Sequence, residues 1–188
     1  MSSDLKGKKI AILATDGFEQ VELTEPRKAL DQAGATTYVI APSGGKIKAW
    51  KMREWGDTFK VDKTLEEARA QEFDALILPG GVMSPDHLRM EPKAVDFVKQ
   101  FVNAGKTVGA ICHGTQMLTE TGALRGKTVT SLPSLRTDLR NAGANWVDQE
   151  VALDGQFVTS RKPEDIPAFN RAVIESVSHG AGHVVHAA

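Results

Sequence analysis

Short apolar runs that alternate with amphipathic stretches constrain the fold of this chain more than any other feature. The runs are residues 9–14, 36–41, 74–78 and 108–111. Near-continuous apolar strands are typical of a sheet that is covered on both faces. Between them, residues 19–33 and 92–103 carry apolar side chains at helical spacing. The alternation predicts an α/β fold, with an open, mainly parallel sheet and helices on both faces.

Several further segments complete the predicted order of elements. Candidate strands at 46–50 and 58–61 are interpreted as a hairpin at one edge, and Asp154-Gly155 as the turn of a second hairpin. Helices are predicted at 64–70, 134–141 and 163–178. Pro26 interrupts the helix predicted over 19–33, so it should either kink that helix or mark the start of its regular part.

Length and composition restrict the class of protein. A chain of 188 residues fits one domain, predicted over 1–178, and a formal net charge of −1 does not favour nucleic acid or an anionic membrane as a partner. No apolar run approaches the roughly 20 residues that span a bilayer, and a lone cysteine suits a reducing compartment. We therefore expect a cytoplasmic protein. The last residues, 179–188, contain three histidines among glycines, and the sequence favours a flexible tail there over a metal site.

The strand at 108–111 leads directly into Cys112-His113-Gly114, so the single cysteine lies at a predicted strand-to-helix turn. A helix N-terminus stabilises an anion and would lower the pKa of a thiol there. Such a turn also projects its side chain out of the sheet, as in a nucleophile elbow. The alternative is that Cys112 is a small buried apolar residue, which is the commoner state of a free cysteine.

Other polar groups follow strand ends that would meet at the same edge of the sheet. Backbone N–H groups at His113 and around Gly80-Gly81 could receive an oxyanion. Glu19 and Glu22 share a helical face, where they could approach the sulfur or only stabilise the first turn. Asp86 and His87, in a predicted loop, are the nearest groups that could orient His113, and solvated loop residues are the alternative.

Specific motifs then point to a family. Asp16-Gly-Phe-Glu-Gln-Val-Glu-Leu, Asp74-Ala-Leu-Ile-Leu-Pro-Gly-Gly and Ala110-Ile-Cys-His-Gly resemble the ThiJ/PfpI family, in particular its PfpI-type intracellular-protease branch. Segments 141–150 and 159–169 also resemble that branch. The likeness extends from about residue 9 to residue 174 and places the chain in the class I glutamine-amidotransferase-like superfamily.

The resemblance implies a flavodoxin-like three-layer sandwich with Cys112 as nucleophile and His113 as base. It implies that Glu22 hydrogen-bonds the reactive sulfur, that Glu19 lies nearby, and that Gly81 belongs to the oxyanion-side turn, with Gly80 and Gly114 also assigned to binding. Asp86 corresponds to an acidic position that reaches the histidine from a neighbouring subunit, which implies a dimer or a larger ring. Thr115 stands where many relatives carry proline, so a looser first turn is expected.

The predicted function is a stress-response cysteine hydrolase of the PfpI type, acting on a peptide or small carbonyl substrate without metal or cofactor. Two alternatives remain: a cofactor-independent glyoxalase or deglycase acting on methylglyoxal or glycated groups, and a non-catalytic redox-responsive chaperone. The sequence contains neither a phosphate-loop lysine motif nor a Gly-x-Gly-x-x-Gly after the first strand, which argues against a nucleotide-dependent enzyme. Glutamine hydrolysis is disfavoured because no downstream histidine with an acidic neighbour is evident.

Overall fold

The computed structural model describes residues 4–180, and its strands and helices alternate as the sequence predicts. The strands are β1 Lys9–Leu13, β2 Thr36–Ala41, β3 Lys46–Lys51, β4 Glu54–Lys60, β5 Lys63–Thr64, β6 Ala75–Leu78, β7 Thr107–Ile111, β8 Thr128–Val129, β9 Asn145–Trp146, β10 Val151–Asp154 and β11 Phe157–Ser160. The α-helices are α1 Gln20–Gln32, α2 Met83–Arg89, α3 Pro92–Asn103, α4 Gln116–Thr119, α5 Arg136–Asn141 and α6 Ile166–His179. Short 3₁₀ turns are Ala70–Glu72, Cys112–Thr115, Pro133–Leu135 and Pro163–Asp165.

The central sheet has the order β10-β11-β7-β6-β1-β2-β5. Its pairings are parallel except for β10, which runs antiparallel to β11 at one edge. The carboxyl ends of β1, β6 and β7 are neighbours, so the turns that follow these strands meet at one edge of the sheet. This is the edge at which open α/β sheets bind ligands.

Alternate side chains of each central strand enter two separate cores. Ala11 and Leu13 pack with α2 to α5 on one face, whereas Ile10 and Ile12 pack with α1 and α6 on the other. Successive strand residues point to opposite faces, so apolar residues at every position of β1 require a cover on both sides. The predicted flavodoxin-like three-layer sandwich is confirmed.

Some predicted elements differ from the structure. The helix expected over 64–70 is wrong: Lys63–Thr64 is strand β5, paired with the end of β2, and only a turn closed by Ala68 N–H on the Thr64 carbonyl (2.9 Å) follows it. Helix α1 begins at Gln20 and continues through Pro26, so this proline does not mark its start. The residues after the double glycine, predicted as a loop, form α2.

The predicted hairpins are both present. β3 pairs antiparallel with β4 as a separate two-stranded sheet, and Gly155 and Gln156 connect β10 to β11. The second turn lies one residue later than predicted, because Asp154 is the last residue of β10 and pairs with Phe157. The strand expected near residue 129 is β8, which pairs with β9 outside the central sheet. His179 is the last residue of α6, one residue beyond the predicted end of the domain at 178, while His183 and His186 lie outside the described residues.

Candidate active site

Cys112 occupies a strained turn at the end of β7. Its φ is +59°, and Met52 is the other non-glycine residue with positive φ within the described range. The 3₁₀ turn Cys112–Thr115 follows at once, and the Thr115 hydroxyl donates to the Cys112 carbonyl at 2.9 Å inside the protein. Left-handed backbone at a non-glycine residue costs about 1–3 kcal/mol and is concentrated at functional sites. The Thr115 hydroxyl therefore stabilises this turn at the position where many relatives carry proline, and the looser first turn stays a prediction.

The glycines predicted around the site allow the turns after β6 and β7 to approach each other closely. A Cβ atom on Gly80 would lie 2.8 Å from Cys112 Cβ and 2.9 Å from His113 N, and one on Gly114 would lie 2.8 Å from the Pro79 carbonyl oxygen. Gly81 has a φ of +80°, and a Cβ there would lie 2.6 Å from Glu19 N. Side chains at Gly80 and Gly114 would separate the turns after β6 and β7, and one at Gly81 would separate the turn after β6 from the loop after β1. The glycines therefore permit the packing that forms the site.

Glu22 is completely buried beside the sulfur. Its Oε2 accepts a hydrogen bond from Gly80 N–H at 2.7 Å, and its Oε1 has no hydrogen-bond partner among the described residues. Burial raises the pKa of Glu22 to about 8, with a smaller contribution in the same direction from the charge of Glu19, while the Gly80 amide acts in the opposite direction. The carboxyl is therefore protonated at neutral pH and able to share a hydrogen bond with the Cys112 side chain.

The Cys112 thiol is itself poorly solvated, with a residue exposure of 8%. Burial raises its pKa, and so does a charge on Glu22, whereas the amides of His113 and Gly81 lower it. This reverses the direction expected from the helix terminus. The reason is that the helical segment after Cys112 is short and the loss of solvation outweighs its amides. The resting thiol keeps its proton and needs a base.

His113 supplies such a base in direct contact. Its Nδ1 lies 3.5 Å from Cys112 Sγ, a contact between two adjacent side chains of the same turn. Burial lowers the pKa of His113, so the imidazole is neutral at pH 7 and can accept a proton. The pair thus has the geometry of a nucleophile with its general base.

Asp86 is not part of this constellation within one chain. It is an exposed residue of α2, and across residues 4–180 neither a hydrogen bond nor an ion pair joins its carboxylate to His113. His87 is likewise exposed on α2. The predicted orientation of His113 by an acidic residue therefore depends on a neighbouring subunit and stays a prediction.

A cleft of about 200 Å³ opens onto the sulfur, and the β3–β4 hairpin forms one of its walls. The Glu19 carboxylate accepts hydrogen bonds from Met52 N–H at 3.3 and 3.4 Å, and Trp50 N–H donates to the Phe18 carbonyl at 2.7 Å. Burial raises the pKa of Glu19. The sequence identified this hairpin only as an edge excursion. No motif within residues 46–60 indicates that the hairpin packs against the loop that begins at Asp16.

The opposite wall includes Leu132 and Pro163, which the sequence did not identify. Both lie in short connecting segments without a motif, so only the folded chain reveals their position. No group of three or more histidine, cysteine, aspartate or glutamate side chains suited to a metal occurs within the described range. Across residues 4–180, no helix combines the length and apolar character needed to cross a bilayer.

Comparison with known proteins agrees with this fold. The model of the DJ-1/PfpI family matches residues 8–176. "Putative cysteine protease YraA" of Bacillus subtilis is 47% identical over 164 residues, covering 87% of this chain and 95% of that protein. "Protein/nucleic acid deglycase 2" of Escherichia coli is 46% identical over 168 residues, covering 89% and 96%.

A solved structure gives the same result. A two-domain protein from Anabaena variabilis, with DJ-1/ThiJ/PfpI-like and ferritin-like domains, superposes with a TM-score of 0.85 at 38% identity. The match covers 90% of this chain and 48% of that one. The similarity therefore extends over nearly all of the present chain.

Proposed function

This chain belongs to the DJ-1/PfpI family, and on that premise we propose that it is a cysteine-dependent hydrolase in which Cys112 attacks a substrate carbonyl. The observation that carries the proposal is the partly buried contact of three groups. Cys112 Sγ lies 3.5 Å from His113 Nδ1, and the protonated Glu22 carboxyl adjoins the same sulfur. A nucleophile in contact with a neutral base and a carboxylic acid is equipped to add to a carbonyl group and to manage the proton that this releases.

The first step follows from the protonation states. When a carbonyl carbon is placed against Sγ, His113 Nδ1 takes the thiol proton as the S–C bond forms. The carbonyl electron pair moves to oxygen, and the amides of His113 and Gly81, which face the sulfur, are the nearest backbone donors for that charge. The neutral Glu22 carboxyl favours attack because it does not repel the developing thiolate.

For an amide substrate, the adduct collapses with cleavage of the C–N bond. The departing amine takes the proton held by His113, and a thioester remains on Cys112. Water then attacks the thioester, the C–S bond breaks, and the thiolate recovers a proton as the acid is released. This route consumes one water molecule and regenerates the site, which matches a protease-type function.

An α-oxoaldehyde or its amine adduct is the second candidate substrate, and the raised pKa of Glu22 favours it specifically. Conversion of the sulfur adduct of an α-oxoaldehyde into a hydroxy-acid thioester moves a proton between adjacent carbons. Since the pKa of Glu22 is about 8, a fraction of about one tenth of this carboxyl is ionised at pH 7, and that fraction can take up and return such a proton. The deglycase name of the Escherichia coli relative supports this route.

We also propose that the protein acts as a homo-oligomer in the cytoplasm, with Asp86 of one subunit orienting His113 of another. Asp86 is exposed, and His113 lacks an acidic partner within its own chain over the described residues. Subunit complementation tests this: Asp86→Ala and Cys112→Ser proteins, each inactive, should recover part of the activity when they are unfolded and refolded together. If the mixture stays inactive, or if Asp86→Ala alone is fully active, Asp86 has no such role.

The function itself is tested by turnover of three substrates: a peptide amide, methylglyoxal, and Nα-acetyl-lysine pretreated with methylglyoxal. We expect at least one to be converted, with an amine or a hydroxy acid as the product that identifies the route. Cys112→Ser should lower kcat by about a thousandfold or more. Turnover that survives this substitution would refute the proposal. Protection of a client protein by the Cys112→Ser variant, without turnover by either protein, would favour the chaperone alternative.

A further inference from the structure

A second and larger groove adjoins the catalytic cleft. Its volume is about 690 Å³, and it lies between the first turns of α1, the tip of the β3–β4 hairpin and the start of α6. Glu19, Met52 and Pro163 line both spaces, so the groove continues directly from the opening above Cys112. A substrate that extends beyond its reacting carbonyl would enter it.

The groove combines an apolar floor with acidic sides. Val21, Ile166 and Pro167 contribute apolar surface, while the exposed carboxylates of Glu25 and Glu164 face one lysine, Lys51. Neither Glu25 nor Glu164 has a side-chain hydrogen bond or an ion pair in the part of the chain that the structure describes. These carboxylates therefore remain available to a ligand, and an isolated negative charge of this kind attracts a cation.

A charge effect relates the groove to the catalytic site, and a hydrogen bond joins two of the helices that line it. The charge of Glu164 contributes to the raised pKa of Glu22, so the two spaces are electrostatically coupled. Asn170 also lines the groove, and its Nδ2 donates to the Glu25 carbonyl at 3.4 Å, which joins the start of α6 to α1 along one side of the groove.

We propose that this groove is a substrate subsite for a lysine- or arginine-containing segment, which it holds while the reacting carbonyl lies over Cys112. The alkyl stem of such a side chain can cover Val21 and Ile166, and its cationic head reaches Glu25 and Glu164. The inference rests on the proposed function, because the subsite assumes a substrate bound at Cys112. It adds a preference for cationic substrates over neutral or acidic ones of the same size.

The test uses alkylation of the single cysteine by matched affinity reagents. Iodoacetyl-Gly-Lys-Lys-amide, iodoacetyl-Gly-Glu-Glu-amide and iodoacetamide are compared by intact mass, with each reaction displacing iodide and forming one thioether on Cys112. We expect the lysine reagent to react faster than the glutamate reagent, with a rate ratio that falls as salt is raised from about 0.05 to 0.5 M. Glu25→Gln and Glu164→Gln should each reduce the ratio by about two- to fivefold.

The matched control is Glu175→Gln, which removes the same charge from an exposed position later in α6 and should leave the ratio unchanged. Equal rates for the two peptides, with normal iodoacetamide labelling, would overturn the subsite while leaving the nucleophile intact. A second measurement needs no reaction at Cys112. The acetylated forms of the two peptides are titrated into the unlabelled protein, and calorimetry compares their binding. Selective binding of the lysine peptide, lost in Glu164→Gln, supports the subsite even if the cysteine does not react.

The same variants also test whether the groove is instead occupied by a second copy of the chain. If Glu25→Gln and Glu164→Gln change the molar mass measured by light scattering and leave peptide selectivity unaltered, the groove is a contact between copies of the chain and the proposal is wrong. An unchanged mass with reduced selectivity supports it.

Discussion

Replacing Glu22 with glutamine should remove a loss of stability that the natural protein suffers as pH rises through neutrality. The pKa of Glu22 is about 8 in the folded protein against 4.5 for an ordinary glutamate. Between those values the folded chain holds a proton that the unfolded chain has released, so the free energy of unfolding falls as pH increases. The stabilisation is fully present below about pH 4.5 and is lost once pH passes the folded pKa.

The magnitude follows from linkage. One pKa unit corresponds to about 1.4 kcal/mol, so this carboxyl accounts for about 5 kcal/mol of stability lost between pH 4.5 and the region above pH 8. Glutamine at position 22 is neutral throughout and still offers an oxygen to Gly80 N–H. The free energy of unfolding of the variant, relative to that of the natural protein, should therefore increase by up to about 5 kcal/mol as pH rises.

Urea unfolding followed by circular dichroism at pH 5, 6, 7, 8 and 9 measures this difference. His113 acts in the opposite direction, because its lowered pKa makes stability fall below about pH 6.5, and Cys112 acts above the pKa of an ordinary thiol. Both groups are present in both proteins. A charge on Glu22 also raises the pKa of Cys112, but this thiol contributes only above the pKa of an ordinary thiol, so the difference between the two curves from pH 5 to pH 8 reports Glu22. Parallel curves across the whole range would refute the raised pKa of Glu22 and its role as a neutral donor.

Three further outcomes are expected. Alkylation of the resting protein by iodoacetamide should be slow at pH 7 and accelerate only above the pKa of an ordinary thiol, about 8.5, since burial raises the pKa of Cys112; a fast plateau near pH 6 would show a preformed thiolate instead. Gly80→Ala should lose about 1–3 kcal/mol of stability and most turnover, because the added Cβ meets Cys112 and His113 N at under 3 Å, whereas Gly44→Ala, with 3.6 Å to its nearest neighbour, should be tolerated. Thr115→Val should cost about 0.5–1.5 kcal/mol of stability and lower kcat, because the turn that positions Cys112 loses the hydrogen bond from the hydroxyl of residue 115. Thr115→Ser should restore both, and an equal kcat in Thr115→Val would contradict a positioning role.

The sheet could be predicted from the sequence because its central strands are buried on both faces. At β1, β6 and β7 nearly every residue must be apolar, and that requirement leaves a clear pattern. The segment after β5 shows why a helix was wrongly predicted over residues 64–70. Leu65 and Ala68 lie three residues apart and are both buried, but a single turn satisfies that spacing as well as a helix does.

The candidate site was predictable in part. The position of Cys112 at a strand end follows from local sequence, whereas the contact between Glu22 and Gly80 joins residues 58 positions apart. From spacing alone, Glu22 fits helix stabilisation as well as it fits a site, and only the resemblance to a family gave it a role. The direction of the Cys112 pKa could not be predicted either, because it depends on how much solvent the assembled turns exclude.

The groove beside the cleft could not be predicted from the sequence, for a similar reason. Its walls come from α1, the hairpin and α6, which meet only after the chain has folded. Glu25 lies in the second turn of α1 and Glu164 in the 3₁₀ turn before α6, and no motif distinguishes them from solvated glutamates.

The most direct test of the account is the mass of the protein during turnover. Natural protein mixed with a converted substrate and quenched in acid on the millisecond-to-second scale should carry a covalent adduct, and peptide mapping should place it on Cys112. The adduct should form before product and decay with it, and Cys112→Ser should show neither. Product formation with no adduct at any time, and at an equal rate in Cys112→Ser, would contradict nucleophilic catalysis by this cysteine.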